Sequence, residues 1–320
     1  MKRKNENESI KKFTNKIICG DAIKTLKKIP DQSVELIFVD PPFNLKKKYS
    51  NSNDKKDENE YLEWCYEWID ECIRILKPNG TIMLHNIPKW LVYFANHLNE
   101  KKLFFRHWIA WDAMGSPLGN TLLASHYGIL YYTKSDDDYK FFAQRIPHKR
   151  CRSCKEVLAD YGGKKVSMHP FGTIVSDVWT DIHRIKHNNR RDAHPNQLPE
   201  PLLERLIQMT TEPGDLVLDP LIGAGTTALA AKRLGRKYVG IDNSKDYVQL
   251  TKDKLKEIKE GESDGYVYKY NKIGQTKTSV NKNFAKVHTI LNDDIVIDRK
   301  KLEDEKPSLY YEYKVEKSKK

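Results

Sequence analysis

The sequence predicts an α/β protein built on a doubly wound, mostly parallel sheet, with an irregular insert in its second half. Three observations carry that expectation. Short apolar runs of strand length alternate with stretches of helical periodicity, as in parallel strands joined by crossover helices. Two of the runs, "SVELIFVD" and "DLVLDP", end on an aspartate followed by proline, at the strand ends where open α/β sheets hold ligands. Between them, residues 135–190 show no clear periodicity, and so long an irregular stretch in a compact protein marks a functional insertion or disorder.

Residues 1–15 are polar and charged enough to be expected without structure. A first strand is expected at Ile17–Cys19, leading through Gly20-Asp21 into a helix with Ile23, Leu26 and Ile29 on one face. "SVELIFVD" reads as a strand buried on both faces that stops at Asp40. After a polar loop through residue 60, Leu62, Cys65, Trp68 or Ile69, Cys72 and Leu76 fall at helical spacing, with Pro78-Asn79-Gly80 as the stop. "TIMLH" reads as the next strand, and "FFRHWIAW" with "YGILYYT" as an antiparallel pair at the sheet edge. Beyond the insert, "LPEPLLERLIQMTT" reads as a helix with Pro201 in its first turn and Leu202, Leu203, Leu206 and Ile207 facing inward. "DLVLDP", "GAGTTALAAKRLGRK", "YVGID" and "SKDYVQLTKDKLKEIKEG" then give strand, helix, strand, helix, with Ser244 as an N-cap and Gly235 and Gly261 as helix stops. One domain is thus expected over residues 16–261, followed by a lysine-rich accessory tail over 262–320.

The 320 residues, 39% hydrophobic, suffice for one substantial core. Lys and Arg outnumber Asp and Glu by 56 to 44, which favours an anionic partner such as nucleic acid over a neutral metabolite. No run of about 18 apolar residues and no signal-like segment occurs, so the expected location is cytoplasmic. Five cysteines, an odd number, predict reduced thiols rather than a disulfide framework. Cys151 and Cys154 have the spacing of half a zinc site, with His148 and His169 as candidate partners, but no second Cys-x-x-Cys follows. The expectation is therefore no metal, and Cys65 and Cys72 read as core residues of their helix.

"LVLDPLIGAGTT" ends a strand at Asp219-Pro220, after which Gly223 and Gly225 let the backbone pass close to a ligand before a helix opens at Thr226. Asp242 follows about twenty residues on, at the end of the next strand, where a carboxylate accepts hydrogen bonds from ribose hydroxyls. The third glycine of the dinucleotide fingerprint is missing, which favours a single-nucleoside cofactor. In "DPPF", Pro41 and Pro42 hold Asp40 extended at a strand end. The carboxylate and neighbouring carbonyls form a row of acceptors for an NH2 group, and Phe43 offers a flat face to a planar ring. A turn that merely ends a strand is the blander alternative.

"DPPFN", with "DPLIGAGTT" and "GID" downstream, resembles the bacterial DNA amino-methyltransferases that use S-adenosylmethionine, in the β arrangement where the catalytic motif precedes the cofactor motif. "CGDAIKTL", "LKPNGTIML", "SHYGILYYTK" and "HPNQLPEPLLERLI" are similar to further segments of that family. Leu221 and Leu198 depart from it, standing where Phe and Lys are usual. The resemblance implies a Rossmann-like methyltransferase sheet with a target-recognition insert at 135–190. It implies that Asp40 and the Pro41 carbonyl accept hydrogen bonds from the target amine, with Pro42 completing the motif, while Phe43 stacks on an extruded base. Asp219, Pro220, Gly223, Gly225 and Thr226 would surround the methionine part of S-adenosylmethionine, bordered by His194 and Gln197. Asp242 would hold the ribose and Asp21 the adenine.

Lys46, Lys47 and Lys48 in the loop after "DPPF", with Arg145, Lys149, Arg150, Arg152, Arg184, Arg190 and Arg191, are the expected phosphate contacts. A base within a duplex must be flipped out to react. Adenine N6 is the expected target, because in the family Asp at the head of the motif goes with adenine and Ser with cytosine N4. Cytosine N4 is the alternative, with RNA or a protein amide as further substrates and a non-catalytic DNA-binding regulator as the reading from another class. DNA, a companion restriction endonuclease and a second copy of the chain are the expected partners.

Overall fold

Val34–Val39 is apolar at nearly every position and is buried on both faces, so it can only be a central strand of a covered sheet. The computed structural model describes residues 10–45, 56–112, 125–144, 174–185 and 197–262, together with the backbone of several short strand pairs. In chain order its main elements are β1 (Lys16–Cys19), α1 (Ala22–Leu26), β2 (Val34–Val39), α2 (Glu58–Ile75) and β3 (Leu76–Asn86). They continue with α3 (Pro88–Glu100), β4 (Phe104–Asp112), β5 (His126–Thr133) and β6 (Val178–Trp179). The last are α4 (Glu200–Thr210), β7 (Leu216–Asp219), α5 (Thr226–Arg233), β8 (Lys237–Asp242) and α6 (Lys245–Glu257).

The strands form one sheet in the order β1-β8-β7-β2-β3-β5-β4-β6. Only β5 runs against its neighbours. From β2 the chain crosses outward to β3, and from β7 it crosses the opposite way to β8, so the winding reverses between β2 and β7. There Leu36 and Ile37 pair with Val217 and Leu218, and a crevice opens beyond the carboxyl ends of the two strands.

α2 begins at Asp57, whose carboxylate accepts the Asn59 N–H at 2.9 Å, and buries Tyr61, Cys65, Trp68, Ile69, Cys72 and Ile75 along one face. Burial pushes both thiols well above the usual range, as expected of inert core cysteines. The helix does not run to Pro78-Asn79-Gly80, as the sequence suggested, but turns directly into β3 at Leu76. Lys134 explains this: its ammonium donates to the Ile73 and Leu76 carbonyls at 2.6 and 2.8 Å, satisfying the helix end without a glycine cap.

Several expectations need correction. Residues 10–15 are ordered, with Phe13 only 8% exposed against the core, so the expected absence of structure over 1–15 fails at its end. α3 was not anticipated, although Pro88 in its first turn and the buried Trp90, Leu91, Phe94 and Leu98 are helical signals. The β4–β5 pair is antiparallel, but β6, from within the supposed irregular insert, forms the outer edge. Within the polar loop after Phe43, Lys48–Tyr49 pairs with Ser52–Asn53. Ser244 caps α6 as expected and Gly235 follows α5 with φ of 71°, whereas α6 ends before Ile258, short of Gly261.

The chain divides into two compact units: Met1–Phe141 with Asp177–Gly261, and Phe142–Ser176 with Glu262–Lys320. In the first, the Ala110 N–H donates to the Asp177 carbonyl at 2.7 Å, Trp179 is buried, and Arg205 holds Asp181 through both guanidinium nitrogens at 3.1 and 2.6 Å. Residues 177–185 of the expected insert therefore belong to the sheet and its packing. In the second unit, Arg145–Ile146 pairs with Thr173–Ile174, and Tyr266–Tyr270 with Thr276–Val280. Among the described residues no helix is long and apolar enough to cross a membrane.

Candidate active site

Val39 pairs with Leu84, so Asp40, the first residue past β2, stands level with His85 on β3. Asp40 Oδ1 lies 2.8 Å from His85 Nδ1. The Asp40 side chain is 21% exposed and that of His85 only 2%. The Pro42 carbonyl accepts the Tyr61 hydroxyl at 2.6 Å, and the Phe43 carbonyl accepts the Trp90 indole N–H at 2.7 Å. Asn44 follows with φ of 53°, a conformation its short amide tolerates. Its side chain holds the Lys56 backbone through hydrogen bonds of 3.0 and 2.9 Å, so the chain leaves and rejoins the site at one clamped point. The DPPF segment is thus fixed from two helices and a neighbouring strand.

On the other side of the crevice, Asp219 ends β7 and is 3% exposed. Its oxygens accept the Thr227 hydroxyl at 2.6 Å and the Leu221 N–H at 3.0 Å. Burial, with the nearby charges of Asp40 and Asp242 adding to it and these hydrogen bonds opposing it, pushes the carboxyl up to about 7. Gly223 and Gly225 take φ of 50° and 89°, where side chains are strained, and Gly225 delivers the chain into α5. Asp242 accepts the Gly223 N–H at 3.0 Å and the Ser244 N–H at 2.8 Å, so it shapes the glycine loop as well as facing the cleft. Asp21 caps α1, accepting the Lys24 N–H at 2.8 Å.

These groups meet in one cleft of about 300 Å³, lined by Asp21, Asp40, Phe43, Asp219, Gly223 and Asp242. Pro41, Pro42, Pro220, Thr226 and Gln197 complete the expected residues on its wall. Gln197 Oε1 is buried with no hydrogen-bond partner among the described residues, and an acceptor left so costs about 1–3 kcal/mol unless a ligand donates to it. Three carboxylates, the raised Asp219 carboxyl and an orphaned acceptor suit a cationic ligand rich in N–H and O–H donors, which is the chemistry of a sulfonium amino acid joined to a nucleoside.

The sequence profile of a family described as DNA methylase matches residues 34–253. This chain belongs to the DNA methylase family. The chain is 44% identical over 243 residues to the type II methyltransferase M.BamHI of Bacillus amyloliquefaciens, covering 75% of this chain and 57% of that protein. It therefore spans little more than half the length of that relative. It is 36% identical over 246 residues to the type II methyltransferase M.HpaI of Haemophilus parainfluenzae (75% and 74% covered), and 33% identical over 241 residues to the DNA adenine methyltransferase YhdJ of Escherichia coli K12 (73% and 80%). Its fold matches M1.HpyAVI, solved in complex with SAM, with a TM-score of 0.51 at 23% identity, covering 75% of this chain and 98% of that one. It also matches the cytosine-N4-specific PvuII DNA methyltransferase, with a TM-score of 0.54 at 20% identity, covering 75% and 85%.

Among the described residues, no other expected site residue has its side chain in the cleft. Arg184 is half-buried beyond β6 and does not line it. Lys48 and Arg145 are described by their backbone alone. His194, Lys46, Lys47, Lys149, Arg150, Arg152, Arg190 and Arg191 lie outside the described residues, as do Cys151, Cys154, His148 and His169. Sequence reasoning missed His85, Tyr61 and Trp90, which hold the DPPF segment. For His85 a signal existed: it ends a strand predicted beside β2, one step past the register partner of Val39.

Proposed function

We propose that this DNA methylase transfers a methyl group from S-adenosylmethionine to the exocyclic N6 amine of an adenine flipped out of DNA, as the modification half of a restriction-modification system. The observation that carries the reading is the meeting of Asp40 and Phe43 with Asp219, Asp242 and the glycine loop in one cleft at the sheet's switch point. S-adenosylmethionine, when bound, supplies an electrophilic methyl group on a positively charged sulfur. Gln197 and the Asp219–Thr226 segment would border its methionine end, Asp242 its ribose and Asp21 its adenine. Asp40 would accept an N–H from the target amine with help from the Pro41 carbonyl, drawing the nitrogen away from conjugation so that its lone pair faces the methyl group. Phe43 would hold the base by its face. Rate enhancement in such a site comes from positioning and fixed electrostatics.

Flipping costs about a few kcal/mol, which phosphate contacts from Lys46, Lys47, Lys48 and the basic residues of 145–191 would offset. The Asp at the head of DPPF and the likeness to an adenine methyltransferase support adenine over cytosine. A second copy of the chain and a companion endonuclease complete the reading as partners.

The test is direct. Purified protein is incubated with isotope-labelled S-adenosylmethionine and unmethylated genomic DNA, which is digested to nucleosides and resolved by mass spectrometry. Label in N6-methyladenine is expected. Label in N4-methylcytosine would keep the mechanism and change the target, and label in neither, with the cofactor demonstrably bound, would overturn the proposal. Asp40→Ala is expected to lower turnover by at least about 100-fold while cofactor affinity stays within a few-fold of wild type.

A further inference from the structure

The geometry points to His85 as a positioning residue for the transfer: its Nδ1–H holds one oxygen of the Asp40 carboxylate so that the other faces the target amine. This inference rests on the proposed reaction at Asp40. A carboxylate only accepts, so in the 2.8 Å contact between Asp40 Oδ1 and His85 Nδ1 the ring nitrogen is the donor, and Nε2 is the nitrogen that takes no part in it. That second nitrogen is buried and has no hydrogen-bond partner among the described residues. The imidazole is walled by aromatic rings, with centroids at 5.6 Å to Phe43, 5.4 Å to Tyr127 and 5.7 Å to Trp111. Trp111 is itself fixed by its indole N–H, which donates to the Ile182 carbonyl at 2.7 Å.

A phenylalanine in that aromatic wall would satisfy packing without orphaning a nitrogen. What a phenylalanine could not do is donate to Asp40. The carboxylate lines the cleft on a short side chain with two rotatable bonds, and the backbone N–H and hydroxyl that pin Asp219 have no counterpart at Asp40 among the hydrogen bonds described. The Tyr61 and Trp90 donors fix the backbone of the motif. His85 fixes its side chain, and its ring also backs Phe43, so acceptor and stacking face share one support.

Two substitutions separate the donor from the packing. His85→Phe keeps a ring beside Phe43 and removes both the donor and the orphaned nitrogen. It is expected to melt at or above the wild-type temperature, bind S-adenosylmethionine and DNA as wild type does, and lose about 10- to 100-fold in kcat. His85→Asn restores an N–H near the Nδ1 position but leaves space where the ring was. It is expected to melt lower than His85→Phe and yet turn over faster, within about 10-fold of wild type. Opposite orders of stability and kcat are the signature of positioning, since a purely structural histidine would make activity follow stability. If His85→Phe fails to fold, His85→Leu takes its place in the comparison. Wild-type kcat in the donorless variant, or activity that tracks melting temperature, overturns the role of His85. A wild-type protein that transfers no methyl group to DNA overturns the parent reading instead.

Discussion

Asp219 shows how far one residue's environment can be pushed to make a binding site. Its folded value, about 7, lies above the ordinary 3.8 chiefly because it is buried, with the charges of Asp40 and Asp242 nearby adding to the shift. Between about pH 4 and 7 the folded protein therefore holds a proton that the unfolded chain has released, so this group's contribution to stability declines as pH rises through that window. Asp219→Asn does not titrate and keeps an oxygen for the Leu221 N–H. The melting temperature of the variant minus that of wild type should become more positive from pH 5 to pH 8, measured without cofactor. A difference that stays flat would mean the carboxyl is already ionised at pH 5. Asp219 was legible in the sequence because proline and glycine betray what a backbone must do, and the same holds for Asp40, Gly223 and Gly225. Tyr61 and Trp90 were not, because an aromatic in an apolar run looks the same whether it packs or holds a motif in place, and His85 was legible only once its strand was placed in register beside β2.

At the level of elements, the glycine loop is a geometric fitting between β7 and α5. Gly225 sits at φ of 89°, and a methyl group there would come within 2.4 Å of Thr251 Cγ2 on α6. Thr251 cannot simply retreat, since its hydroxyl donates to the Gly223 carbonyl at 3.3 Å and its side chain is buried. Gly225→Ala should therefore cost about 2 to 4 kcal/mol, from backbone strain and overpacking together, read as a lowered denaturant midpoint. Thr251→Gly in the same chain should recover the steric part and leave the strain. An unchanged midpoint in the single variant would show that the loop adopts another path. Elements were legible where periodicity was unbroken, as in α2, α4 and α6. β6 escaped because two residues, Val178 and Trp179, are too few for a pattern, and the end of α2 was misplaced because its cap, Lys134, comes from 58 residues away.

For the molecule as a whole, charge and architecture make separable contributions. Lys and Arg exceed Asp and Glu by 56 to 44 along the chain, a balance readable before any fold is known. Its division between compact units was not readable, because the stretch before Asp177 and the stretch after it share one basic, aperiodic composition while only the second adds a strand to the sheet. Every hydrogen bond described at the cleft arises within Met1–Phe141 and Asp177–Gly261. A fragment ending at Gly261 should therefore retain the cofactor affinity of the full chain, as titrated by calorimetry. DNA affinity should behave differently. Each phosphate contact adds about 0.9 to the slope of log affinity against log salt, so loss of the lysine-rich residues 262–320 should flatten that slope by at least about one contact. Equal slopes would show that the tail does not touch phosphate. A fragment that no longer binds S-adenosylmethionine would show instead that the tail supports the folded core, and the charge of residues 262–320 would then need a structural explanation.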